Sequence, residues 1–151
     1  MSHQIYFTRE KKNLGHSDAY RYVKKAVNAA LENEGQERRC EVSVTFTDDA
    51  GIRVINREQR SIDSATDVLS FPIGEEDYDT DCLFLGDMVI SLERCEKQGE
   101  EYGGGFCHEL QYLTVHSVLH LLGYDHLDEG VQKAEMRTHE KEIMKRLGYD
   151  Y

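Results

Sequence analysis

The 151-residue chain sets 29 acidic residues against 18 basic ones, a formal net charge of −11 at pH 7, with 39% hydrophobic and 31% charged residues. This suits one globular domain, residues 1–151, long enough to bury a core, and it excludes a protein that coats nucleic acid through bulk positive charge. No apolar run approaches the roughly 18–20 residues that span a bilayer, and the N-terminal MSHQIYFTREKK has no apolar signal core, so the expectation is a soluble, cytoplasmic protein with no membrane partner.

In chain order, residues 4–8 set Ile5 and Phe7 on one side and read as a first strand. Residues 11–16 read as a turn and Ser17 as an N-cap. A helix follows to about Glu34, with Tyr20, Val23, Val27, Ala30 and Leu31 on one stripe and Gly35 as its stop. Residues 40–47 alternate, with Val42, Val44 and Phe46 against Glu41, Ser43 and Thr45, the pattern of a half-buried strand. Asp48 or Asp49 caps a short helix to about Glu58 with Ile52 and Ile55 inward. Its other side carries Arg53, Arg57 and Arg60, a basic stripe if the helix persists that far.

Residues 68–71 read as a strand ended by Pro72, the only proline. Residues 75–81, EEDYDTD, read as a mobile acidic surface loop without the spacing of a calcium loop. Residues 83–92 are the next strand and 93–101 are helical. Gly103, Gly104 and Gly105 make a break that lacks the Lys-Ser/Thr of a phosphate loop. Residues 106–122 form a helix, and an amphipathic helix follows Gly130, on which His139 reads as a surface residue. The sum is an α+β domain with about four strands in one mixed sheet packed by helices. The four cysteines, Cys40, Cys82, Cys95 and Cys107, form no C-x-x-C pair and read as reduced thiols, some of them buried.

The chemistry concentrates in residues 114–129, TVHSVLHLLGYDHLDE. His116 and His120 lie four apart and share one helix face. Gly123 offers a left-handed helix stop, and His126 follows on a segment able to fold back. Three converging imidazoles suit a zinc ion with its fourth position open, one ion per chain, although nickel, copper or iron would also accept them. The spacing H-x3-H-x2-G-x2-H is that of metzincin-type proteases, so this is a zincin-like metal helix. In H-E-x-x-H proteases a glutamate base follows the first histidine. Here Ser117 follows, and a hydroxyl has no accessible anion near neutral pH. The pattern is a catalytic-type zinc centre without the protease base.

Three segments resemble the YbeY family of bacterial rRNA maturation factors. One runs from Asn56-Arg57-Glu58-Gln59-Arg60 through Asp63 to Thr66-Asp67-Val68-Leu69-Ser70-Phe71-Pro72; another is Leu85-Gly86-Asp87-Met88-Val89-Ile90-Ser91; the third is His116 to His126. Their order and separations are similar to the family's, and the resemblance covers nearly the whole chain. Ser117 departs from it, standing where the family usually has glycine. The resemblance implies a single-strand-specific, zinc-dependent endoribonuclease. It also implies roles in maturing the 3′ end of small-subunit ribosomal RNA, in late ribosome assembly and in ribosome quality control. Implied partners are ribosomal RNA and the ribosome, a small-subunit ribosomal protein and an Era-type GTPase.

The expected metal ligands are His116, His120 and His126, and the family's arginine maps onto Arg60, which would hold the scissile phosphate through its planar fork. Arg60 could instead serve an internal salt bridge to Asp63 or Asp67. Asp125 and Asp128 could act in proton transfer or orient a histidine. Two other functions fit the same residues. One is a non-catalytic assembly factor in which the metal fixes the turn after Gly123. The other is a zinc peptidase with a carboxylate supplied from elsewhere in the chain.

Overall fold

The computed structural model describes residues 3–124 and 131–150. Its elements run β1 (Gln4–Arg9), α1 (Ala19–Asn33), β2 (Arg39–Thr47), α2 (Asp49–Arg60), β3 (Val68–Asp77), β4 (Cys82–Ser91), α3 (Leu92–Tyr102), α4 (Phe106–Leu121) and α5 (Val131–Arg146). The sheet order is β1-β2-β4-β3. β1, β2 and β4 run parallel, and β3 returns antiparallel on β4. The fold is thus the expected α+β domain with a four-stranded mixed sheet.

α4 is apolar on most of its circumference and becomes the central helix. Leu110, Leu113, Val115, Val118, Leu119 and Leu121 are buried, together with Cys95 of α3, Val23, Val27, Ala30 and Leu31 of α1, and Met136, Ile143 and Met144 of α5. The main core lies between these helices and one face of the sheet. A smaller cluster of Ile52, Leu69 and Val89 fills the other face beneath α2. Burying large aliphatic side chains contributes about 1.5–3 kcal/mol each, so α4 is fixed by packing and its polar positions inherit that rigidity.

α1 starts differently from the sequence expectation. Ser17 is not its cap: Asp18 occupies that position without a side-chain bond, and the chain turns in through His16 at φ 48°. Tyr20 is 42% exposed and packs edge-on against Phe7. α2 does persist to Arg60, capped at its start by Asp48 Oδ1 accepting from Gly51 N at 2.9 Å and closed by Ser61 in the left-handed region.

β3 corrects two expectations. Pro72 does not end the strand, because β3 is at the sheet edge, where a missing N–H costs no ladder bond, and the register shifts between Pro72 and Glu75. Glu75, Glu76 and Asp77 then pair with Phe84, Leu83 and Cys82, so three of the seven residues of the expected acidic loop are strand. Gly86 lies opposite this irregularity at φ 146°, and a Cβ there would overlap the Phe71 carbonyl oxygen. A glycine is needed for β4, β3 and α4 to approach this closely.

Candidate active site

His116 and His120 lie one turn apart on α4, and each ring has an acceptor at Nδ1. His116 Nδ1 donates to Glu140 Oε2 of α5 at 2.7 Å. His120 Nδ1 donates to the Tyr124 carbonyl oxygen at 2.7 Å. With carboxylate and carbonyl accepting at Nδ1, the neutral rings carry their lone pairs at Nε2, and the two Nε2 atoms face each other at 3.1 Å. Two facing lone pairs repel unless a proton or cation lies between them. Tetrahedral ligands at about 2.0–2.1 Å from zinc stand roughly 3.3 Å apart, so the pair already approaches the spacing of two metal ligands and could hold one.

His126, Asp125 and Asp128 lie outside the described residues. Among the described residues no group of three His, Cys, Asp or Glu is arranged to hold a metal.

The carbonyl that orients His120 is itself fixed by chain geometry. Gly123, at φ 111°, donates to His120 O at 3.0 Å, and Tyr124 N donates to Leu119 O at 3.1 Å. This is the paired bonding of a Schellman stop. Tyr124 Oη donates to Glu34 Oε1 at 3.0 Å, and His139 Nδ1 donates to Glu34 Oε2 at 2.6 Å. Burial, reinforced by the bond to Glu34, pushes the Tyr124 hydroxyl up to about 12. His139 is therefore not the surface residue expected from sequence. With Glu34 it ties the end of α1 to α5 and to the turn after α4.

The two histidines line a cleft of about 710 Å³ that also includes Arg60, Asp67, Ser70, Pro72, Tyr112 and Tyr124. Arg53 donates to Asp63 at 2.8 Å, and Arg57 approaches the same carboxylate at 4.0 Å. Among the described residues Arg60 makes no ion pair, so neither Asp63 nor Asp67 claims it. Asp67 is braced instead. Its Oδ1 accepts from Val68 N at 2.7 Å and its Oδ2 from Gln98 Nε2 at 3.3 Å, and Gln98 also donates to Glu109 Oε2 at 2.7 Å. Burial raises the Glu109 carboxyl above its ordinary range, against the lowering bond from Gln98.

Ser117 is fully buried, its hydroxyl hydrogen-bonded to that of Ser70 at 2.6 Å. The residue after the first histidine thus joins α4 to edge strand β3. Glu140, Tyr112 and Glu34 went unread in the sequence. Glu140 had a visible signal: it falls on the buried Met136, Ile143 and Met144 stripe of α5, where a carboxylate needs a partner.

Fold and cleft define a class, an α+β domain whose histidine-bearing helix borders a cleft that Arg60 also lines. Within that class the chain belongs to the endoribonuclease YbeY family, whose model matches residues 4–148. It is 42% identical to endoribonuclease YbeY of Clostridium botulinum strain Eklund 17B, over 95% of this chain and 97% of that one. It is 50% identical to the endoribonuclease YbeY of Caldanaerobacter subterraneus, over 83% and 85% of the two chains. The solution structure of TM1509 from Thermotoga maritima shares the fold with a TM-score of 0.60 at 24% identity, covering 95% of this chain and 91% of that one. No helix among the described residues is long and apolar enough to cross a membrane.

Proposed function

We propose that the chain is a single-strand-specific endoribonuclease that works with one zinc ion held by His116, His120 and His126. Its substrate is the 3′ region of small-subunit ribosomal RNA, and its place is in late ribosome assembly and ribosome quality control. It would work on the ribosome in the cytoplasm, beside a small-subunit ribosomal protein and an Era-type GTPase. The observation that carries the reading is the pair of Nε2 atoms 3.1 Å apart in a cleft that Arg60 also lines.

Glu140 and the Tyr124 carbonyl keep the Nδ1 atoms protonated and both Nε2 atoms directed at one point. When bound, zinc supplies a Lewis acid for a phosphoryl oxygen and acidifies water toward a pKa near 7. Arg60 presents a planar guanidinium that matches two phosphate oxygens and stabilises charge as it develops. Ser117 favours a polyanionic substrate over a peptide, because a glutamate at that position would add negative charge near the scissile phosphate.

Metal-reconstituted protein and its His120→Ala variant are assayed side by side on single-stranded ribosomal RNA. The variant should lose both the metal and the cleavage; equal cleavage by the two removes the metallonuclease reading. Arg60→Ala should lose cleavage by about a hundredfold or more while keeping its metal and fold. Retained cleavage would remove Arg60 from the mechanism.

A further inference from the structure

Lys133, Arg137, Lys141 and Lys145 recur at every fourth residue of α5, so they wind along the helix as one ridge. All four are exposed, and among the described residues none makes an ion pair. They concentrate positive charge along one ridge of a chain whose net charge is −11. Beside the ridge lies Tyr112 of α4, one turn before His116, its ring 6.3 Å from the His116 ring and inclined by 28°. Tyr112 lines the 710 Å³ cleft and also a second pocket of about 200 Å³. The other walls of that pocket are Arg137, Glu140, Lys141 and Met144. The Glu140 carboxylate is engaged with His116, and the pocket also presents an aromatic ring and two cations.

An aromatic ring beside cations spaced along a track is the chemistry that holds single-stranded nucleic acid. A base stacks on the ring without regard to its identity, and its phosphates meet the cations. A duplex offers no unstacked base, and an acidic protein surface would not require a ring at the mouth of the cleft. Arg137 and Lys141 are about 6 Å apart along the helix axis, near enough to serve consecutive phosphates of an extended strand.

We propose that Tyr112, Arg137 and Lys141 form a subsite for one unpaired nucleotide flanking the scissile bond, from which the strand leaves along the basic ridge of α5. The subsite rests on the reading of the cleft as a ribonuclease site and supplies its preference for single strands.

The test is anisotropy titration of metal-reconstituted protein with a fluorescein-labelled oligouridylate 12-mer and with a labelled RNA duplex, over a series of salt concentrations. Cleavage is followed on the same samples. Tyr112→Leu, which keeps apolar packing, should weaken 12-mer binding about tenfold or more and leave duplex binding unchanged; Tyr112→Phe should bind within twofold of the parent. Arg137→Gln with Lys141→Gln should flatten the slope of log K against log salt by about 1.4, at roughly 0.7 per phosphate of a single strand. This double variant sits on an exposed face and keeps the test valid should Tyr112→Leu lose its fold. An undiminished affinity in folded Tyr112→Leu, or an unchanged salt slope in the double variant, overturns the proposal; the latter would give the ridge to another partner, such as an acidic protein. Absence of cleavage by the parent protein would count against the ribonuclease reading separately, since the binding comparisons do not depend on turnover.

Discussion

Replacing Glu140 tests whether the polar support of His116 controls metal retention. The Nδ1–Oε2 bond is 2.7 Å long, and the two side chains are only 22% and 9% exposed, so water is a poor substitute for the carboxylate. A hydrogen bond to a charged group contributes about 1.5–3 kcal/mol, which corresponds to roughly ten- to a hundredfold in affinity. Outer partners of metal-binding histidines carry the same range. Glu140→Ala should therefore weaken zinc binding by about ten- to a hundredfold. Glu140→Gln keeps the shape and an accepting oxygen but loses the charge, and charge roughly doubles such a bond, so about three- to tenfold is expected. Competition with a chromogenic chelator at neutral pH measures both, with circular dichroism to check the fold. Parental affinity in folded Glu140→Ala would refute the reasoning, as would a larger loss in the Gln variant than in the Ala variant.

Gly86→Ala should destabilise by more than about 3 kcal/mol, because it adds backbone strain at φ 146° to an overlap with the Phe71 carbonyl; thermal melting should fall by roughly 10 °C, and a drop of only a degree or two would contradict the close approach. Glu109 predicts an unusual pH slope. Burial raises its carboxyl above 4.5, so the folded protein holds this proton to higher pH than the unfolded chain does. Its contribution to stability is therefore lost as pH rises from 4.5 through the folded value. Glu109→Gln should raise the melting temperature at pH 7 and remove that slope; a lower melting temperature at pH 7 with the slope intact would show that the buried charge is not the cost.

Much of the fold could be read because period and packing agree. β2 and β4 are buried on alternate or both faces, and α1 and α4 carry their apolar residues at helical spacing, so element type follows from pattern alone. The histidines at 116 and 120 could be read for the same reason, since one turn of helix fixes their neighbourhood. What escaped was decided by contacts distant in sequence. Pro72 fits within β3 only because no strand lies beyond it, and edge position cannot be read locally. Glu34 and His139 are 105 residues apart and meet only once α1 and α5 flank α4. Glu140 and Tyr112 required knowing which turn of α5 lies against which turn of α4.

The dependence of the α4 histidines on α5 has a consequence for the protein's birth. Among the described elements α5 is the last to be translated. A nascent chain with α4 already outside the exit tunnel has both imidazoles but lacks Glu140 for the first, and it lacks the His139 anchor of the turn that steadies the second. The cleft is thus completed only once α5 has emerged, and a polypeptide truncated before α5 lacks both the Glu140 partner of His116 and the His139 anchor of the turn beside His120.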